Sequence, residues 1–315
     1  MTAKAKALAT AKIRAKTKVP AAAQPGTILP VVINASGGTA RALGDKLAGQ
    51  VTEAFAGAGL SIELHLVEGD AVAETVRGLS SSLIAVGGGD GTLGGAAGVL
   101  HDQSKTLAIL PLGTRNHLAR QLGIPADLPG AAKVIAAGHT TNIDLGCAGD
   151  RIFVNNLSIG IYTRLVRARD MIGGPKWLAT FPAAWHALKR MRSQHLSLRF
   201  DGQTCSIKTP LLFIGNNRYS LDRGSLGQRA SLSEGLLSLM AVEALSPSAL
   251  IGFGWRALVG RLNKDNDFAQ LASAAEVTIE SHRSQDVALD GELEKMQFPL
   301  VCKVLPGALK VIAPA

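Results

Sequence analysis

Leu83-Ile84-Ala85-Val86-Gly87-Gly88-Gly89-Asp90-Gly91-Thr92 is an apolar run that passes straight into glycines and then into the small-residue stretch from Leu93 to Leu100. The order is strand, glycine loop, helix. Glycines permit left-handed dihedrals and let backbone N–H groups approach a phosphate closely, while the N-terminus of the following helix adds partial positive charge. The stretch therefore predicts a cradle for nucleotide phosphates. It lacks the Lys-Ser/Thr ending of a P-loop and the spacing of a Rossmann fingerprint. A carboxylate beside bound phosphates repels them unless a cation intervenes or the group handles a proton, so Asp90 points to Mg²⁺-nucleotide chemistry more than to passive binding. The plainer alternative is a glycine-rich turn with Asp as a helix cap.

Outward from this loop, apolar strand-like runs alternate with helical patterns. Ile28 to Ile33 is followed by a helix near 39–57, Ile62 to Val67 by a helix near 70–79, and Thr106 to Leu110 by helices near 114–122 and 127–138. Such alternation predicts a mostly parallel sheet covered by helices, a three-layer α/β/α domain over about residues 26–145. Ligands of such sheets bind at the carboxyl ends of the strands. The loops Asn34 to Gly38, Gly87 to Thr92 and Pro111 to Asn116 should therefore gather on one edge.

Beyond Ile143 the texture changes. The runs Ile152 to Leu157, Leu196 to Phe200, Leu211 to Gly215, Leu236 to Val242, Val277 to Ile279 and Val287 to Leu289 are separated by turn residues, which predicts a largely antiparallel second domain over 146–306. Two helical patterns interrupt it, Pro175 to Arg192 and Leu250 to Leu262, and they hold Trp177, Trp185 and Trp255. Tryptophan flanked by Arg and Lys suits a membrane interface or an acyl-chain pocket, and a helix packed on a sheet gives the same pattern.

Composition narrows the partners. The 315 residues are 47% apolar and carry a formal charge of +9. Six of the cations, Lys4, Lys6, Lys12, Arg14, Lys16 and Lys18, lie in the first 25 residues without an acidic neighbour, and the remainder carries +3. That basic tail reads as disordered, and either adsorbs to anionic surfaces or is merely solvated. Aromatic residues are only 4% and are not interleaved with the cations, which argues against a nucleic-acid partner. Three scattered cysteines, Cys147, Cys205 and Cys302, suit a reduced cytoplasmic setting and lack zinc spacing. No apolar run reaches membrane-spanning length, so contact with a membrane would be peripheral.

Three separated motifs then stand together: Gly87 to Thr92; Pro111-Leu112-Gly113-Thr114-Arg115-Asn116-His117; and Asp290-Gly291-Glu292. With Asn34 to Gly37, Phe153 to Gly160, Gly215-Asn216-Asn217 and Glu234-Gly235-Leu236-Leu237, they resemble the diacylglycerol kinase catalytic family of lipid kinases over about residues 28–313. The resemblance implies an α/β nucleotide domain joined to a β-sandwich lipid domain. Their cleft would hold the active site, and the strand near Leu309 to Ile312, within 307–315, would return to the first domain. It implies ATP and Mg²⁺ as cofactors, a lipid hydroxyl as acceptor and a peripheral place at the inner membrane surface. Asn34, Ser36, Gly37, Gly87, Gly88, Gly89, Gly91, Thr92, Gly113, Thr114 and Asn116 would contact the nucleotide. Asp90 would lie near Mg²⁺ and the γ-phosphate, and Glu292 would be the general base. A structural cation would sit at Glu234, with carbonyls from Ser231 and Leu236, although the family more usually has Asp at that acidic position.

The chain also departs from the family. Gly94 and Gly95 stand where Asn-Glu is common, and Arg115 and His117 stand where a small residue and Asp are common. Two other readings stay open: an NAD kinase, which shares the first motif, and a nucleotide-binding regulator without turnover. The acceptor lipid and the oligomeric state, a homodimer included, are not encoded in any pattern.

Overall fold

A computed structural model describes residues 28–160, 193–219, 229, 231–242, 269–281 and 285–315. The basic tail and both tryptophan-bearing segments lie outside the described residues.

The first half alternates as expected. Strand β1 is Ile28–Asn34, followed by helices α1 (Gly38–Leu43) and α2 (Lys46–Gly57), strand β2 (Ser61–Val67) and helix α3 (Ala71–Gly78). Strand β3 (Leu83–Gly88) leads into helix α4 (Asp90–Asp102), and strand β4 (Thr106–Pro111) into helices α5 (His117–Gln121) and α6 (Leu128–Ala137). The single helix expected over 39–57 is broken at Gly44, whose φ of 52° and ψ of −129° only glycine adopts readily. Helix α6 has clear end signals. The Asp127 carboxylate accepts the Gly130 N–H (2.7 Å), Pro129 sits in the first turn, and Gly138 closes the helix in the left-handed region.

The second half is antiparallel. Strands β5 (Thr140–Ala148), β6 (Arg151–Phe153) and β7 (Asn156–Gly160) precede β8 (Gln194–Phe200), β9 (Gln203–Thr209) and β10 (Leu211–Asn216). After these come β11 (Leu237–Ala241), β12 (Ala269–Ala274), β13 (Glu276–Glu280), β14 (Gln285–Leu289), β15 (Glu292–Met296) and β16 (Leu300–Ile312). The one strand expected over 152–157 is two, because the N–H groups of Val154 and Asn155 leave the ladder for a carboxylate described below.

Among the described residues the strands form two sheets. The larger runs β2-β1-β3-β4-β16-β13-β8-β9, with β5 paired to β16 and β6 to β5, and the smaller runs β12-β11-β10-β7-β14-β15. Strands β2, β1, β3 and β4 are parallel, with Val31 opposite Ala85 and Ile84 opposite Leu107. The 13-residue β16 crosses the expected boundary at 306/307 as one strand. Its first half pairs with β13, its last residues pair in parallel with β4, and β5 accompanies both parts. The expected return to the first domain is thus part of a shared sheet.

Two cores follow. One packs β1, β3 and β4 against the helices and includes Leu309, Val311 and Ile312, and the other lies between the sheets and includes Leu300, Cys302 and Val304. Phe153 is fully buried in the second core. It lies against its strand partner Gly146, where a Cβ would come within 2.2 Å of the ring. Replacing Phe153 with Ala should lower unfolding free energy by about 3–5 kcal/mol, read as the denaturant midpoint at unchanged slope. No helix among the described residues is long and apolar enough to cross a membrane.

Candidate active site

The three loops meet at the carboxyl edge of the parallel strands. Asn34 joins the first two: its Oδ1 accepts the Ser36 N–H (3.1 Å) and hydroxyl (2.8 Å), and its Nδ2 donates to Thr92 Oγ1 (2.9 Å). The Thr39 N–H donates to the Leu112 carbonyl (2.8 Å), joining the first loop to the third. Asn116, at φ 49°, holds the third loop by accepting from the Gly113 N–H and donating to the carbonyls of Pro111 and Gly113. Thr114 stands exposed at its tip.

The glycines of the central loop serve close approach. Gly87, Gly88, Gly89 and Gly91 all keep φ outside the left-handed region, contrary to the dihedral argument from sequence. A Cβ at Gly87 would lie 2.8 Å from Ile33 Cγ1, and one at Gly88 2.7 Å from Thr92 Cβ. At Gly113 a Cβ would lie 2.2 Å from the Gly89 Cα, so backbone packs on backbone between two loops. The strand gives way to α4 at Gly89 alone, and the first N–H groups of α4 have no acceptor within the helix. That end suits an anion.

Asp90 opens α4. Its Oδ2 accepts the His117 N–H (3.1 Å) and its Oδ1 the Leu118 N–H (3.1 Å), so the carboxylate also clips α5 to the glycine loop. Burial lowers the His117 imidazole below its ordinary 6.5. The Asp90 carboxylate opposes that shift, and Arg115, Arg120 and Arg229 add to it.

The β14–β15 turn brings Asp290-Gly291-Glu292 across the cleft onto α4. A Cβ at Gly91 would meet Glu292 Oε1 at 2.7 Å, and one at Gly94 would meet Asp290 Oδ2 at 2.6 Å. Asp290 is half-buried, and its oxygens accept the N–H groups of Val154 (2.7 Å), Asn155 (2.7 Å) and Asn156 (3.0 Å). Burial outweighs these donors and the nearby Arg229, raising its pKa to about 6.

Arg229, which no sequence pattern marked, bolts the two halves together. Its guanidinium donates to Gln121 Oε1 at the end of α5, to the carbonyls of Val154 and Asn216, and to Asn155 Oδ1, and it lies 5.7 Å from the Tyr219 ring centroid. The residues expected to hold a structural cation are close in sequence. Glu234 receives the Arg218 N–H (3.3 Å) and approaches its guanidinium (3.6 Å), the Leu236 carbonyl accepts the Asn217 N–H, and Ser231 Oγ accepts the Ser233 N–H. Among the described residues no group of three or more His, Cys, Asp or Glu side chains forms a metal cluster.

Fold and site together define a two-domain protein in which an acidic hairpin of the antiparallel half meets the helix that follows a glycine loop. The diacylglycerol kinase catalytic domain matches residues 29–148, and the YegS C-terminal NAD kinase beta sandwich-like domain matches 157–313. Residues 29–148 thus belong to the diacylglycerol kinase catalytic domain, and residues 157–313 to the YegS C-terminal domain. A diacylglycerol kinase of Staphylococcus haemolyticus is 30% identical over 185 residues, 56% of this chain and 55% of that protein. One of Staphylococcus epidermidis is 28% identical over 233 residues, 71% and 72% of the two chains. The match thus spans little more than half the length of the first relative. A crystal structure of a diacylglycerol kinase from Bacillus anthracis superposes with a TM-score of 0.65 at 22% identity, covering 91% of this chain and 97% of that one.

Two outcomes follow from the geometry. The unfolded imidazole binds its proton more tightly than the folded one, so the His117 contribution to stability is present above pH 6.5 and lost as pH falls through the lowered folded value. An NMR titration should give a midpoint below 6.5, and Asp90→Asn should lower it further by removing the charge that favours imidazolium. Separately, Arg229→Met leaves several buried acceptors unpaired and should cost about 2 kcal/mol or more in chemical denaturation.

Proposed function

We propose that the chain is an ATP-dependent lipid kinase that transfers the γ-phosphate of Mg²⁺-ATP to the hydroxyl of a diacylglycerol-like or sphingoid lipid. The observation that carries this reading is the position of Glu292, held by the second domain against the first turn of the helix that follows the glycine loop. A carboxylate there can serve an acceptor entering from the second domain while the phosphates lie on the first. The family and the relatives named diacylglycerol kinase support the same assignment.

In this reading the N-terminus of α4, Asn34, Ser36, Thr92 and the 111–116 loop orient the triphosphate. The lipid oxygen forms its bond to the γ-phosphorus as the bond to the β–γ bridging oxygen breaks and leaves with ADP. Glu292 accepts the hydroxyl proton. Asp90 and Glu292 are oxygen donors of the kind a divalent ion prefers, and Mg²⁺, when bound, would neutralise phosphate charge. Positioning supplies much of the acceleration. Contact with the membrane is peripheral, with the basic tail as one candidate.

One observation favours a second reading, a regulator that binds nucleotide without turnover: both Asp90 oxygens are already engaged with α5, and His117 stands where the family commonly has Asp. Labelled γ-phosphate from Mg²⁺-ATP offered with an extracted lipid mixture separates the two. The kinase should yield a labelled lipid, Glu292→Gln should reduce kcat about 10²- to 10⁴-fold with ATP affinity retained, and Asp90→Asn should abolish transfer. ATP binding without labelled lipid would favour the regulator. Offering NAD in place of lipid tests the NAD-kinase alternative, which a labelled dinucleotide would support.

A further inference from the structure

The Arg229 side chain is buried, yet among the described residues its hydrogen bonds all go to uncharged oxygens. Nε and Nη2 donate to Gln121 Oε1 (2.8 and 2.6 Å), Nη1 donates to the carbonyls of Val154 (2.7 Å) and Asn216 (3.2 Å), and Nη2 also reaches Asn155 Oδ1 (2.9 Å). Burying a cation is a poor way to gain stability. What the flat guanidinium supplies is direction, because its N–H groups leave in a fixed fork that can grip several acceptors at once.

Each end of that grip leads to a carboxylate of the cleft. Gln121 ends α5, about one turn from His117 and Leu118, whose N–H groups hold Asp90, and Leu118 and Ala119 fix the helix in the first core. At the other end, Val154 and Asn155 accept from Arg229 and use their own N–H groups to hold Asp290. Glu292 follows Asp290 across the hairpin, paired with Leu289. A path from Asp90 to Glu292 therefore crosses between the halves at this guanidinium. Strand β16 joins the halves elsewhere, since it meets β4 at Thr106 and Leu107, the end of that strand away from Pro111 and the third loop.

Resting on the reading of Asp90 and Glu292 as the carboxylates of a transfer site, we propose that Arg229 is a positioning residue that, through Gln121, sets the acceptor half of the cleft in register with the phosphate half. The nucleotide lies on first-domain loops and the lipid on the second domain, so each substrate still binds its own half when the tie is cut. What is lost is the alignment of the attacking oxygen with the γ-phosphorus. The effect falls on kcat and spares both KM values.

The test uses the full chain with Mg²⁺-ATP and micelles of a short-chain diacylglycerol or of sphingosine, whichever the parent phosphorylates. Gln121→Met keeps the length of the side chain, removes the acceptor and leaves every contact of Arg229 with the second domain in place. It should lower kcat about 10- to 100-fold with the KM for ATP and for lipid little changed. Gln121→Glu accepts the same two N–H groups with charge assistance and should restore most of the rate. Arg229→Lys keeps the charge without the fork and should lose at least as much as Gln121→Met, and adding Gln121→Met to it should cost nothing further. Amide hydrogen exchange at Val154, Asn155 and Asn156 gives a readout independent of turnover. It should accelerate in Arg229→Lys and stay at the parent rate in Gln121→Met. A parent kcat in Gln121→Met, or a loss carried by the KM for ATP, overturns the tie. A parent kcat in Arg229→Lys overturns the role of the fork, and unchanged exchange in that variant overturns the hold on residues 154–156. A parent that phosphorylates neither lipid overturns the kinase reading and with it the role in transfer, while exchange in Arg229→Lys still decides the hold.

Discussion

One half-buried carboxylate organises the cleft. Asp290 reaches three consecutive N–H groups, at 154–156, because Val154 and Asn155 lie between β6 and β7, outside both ladders, and Asn156 opens β7. Without the carboxylate they would be buried and unpaired, a costly state for backbone groups. Without the donors the half-buried carboxylate would lose the groups that compensate its desolvation. Each half needs the other, so the junction between domains and the hairpin that carries Glu292 hold one relative position. Desolvation outweighs the donors, and the Asp290 pKa is raised to about 6.

The same logic recurs along the domain boundary. Asp144 is buried on β5 and accepts the Gly235 N–H through one oxygen and the Gly307 N–H through the other, both at 2.7 Å, while its carbonyl accepts from Asn216 Nδ2. Arg229 supplies the matching cation and directs its donors to α5 on one side and to the 154–155 segment on the other. Strand β16 adds a continuous covalent connection, paired with first-domain β4 at one end and second-domain β13 at the other. The halves are therefore joined by a shared sheet and a line of fully engaged buried charges. Motion of one against the other has to twist that sheet or break charge-assisted hydrogen bonds.

The parallel half of the fold was legible because apolar runs and helical patterns alternate there and turn residues follow the strands. The convergence of three loops followed from topology alone. Strand β5 was not legible: Thr140 to Asn142 are polar, and Gly146 is small only because the Phe153 ring needs that space. Arg229 was invisible for a different reason, since a single cation in an irregular segment has no period and its partners are up to 108 residues away. Gly94 and Gly95 read from sequence only as missing side chains. The structure separates them, giving Gly94 a carboxylate to accommodate and leaving Gly95 unexplained.

Helix α4 shows why the separation matters. Glycine in a helix interior costs about 1 kcal/mol relative to alanine, so a 13-residue helix with glycines at 91, 94, 95 and 98 is weak by intrinsic propensity. It persists because Leu93, Ala96, Ala97, Val99 and Leu100 are buried in the first core. The face with Gly91, Gly94 and Gly98 meets Glu292, Asp290 and Ile152 of the second domain, and the helix N-terminus suits an anion. A helix held so largely by its surroundings responds to whatever is placed on those two surfaces. Helix α4 is thus the element on which an N-terminal end that suits an anion and the carboxylate hairpin of the second domain come together.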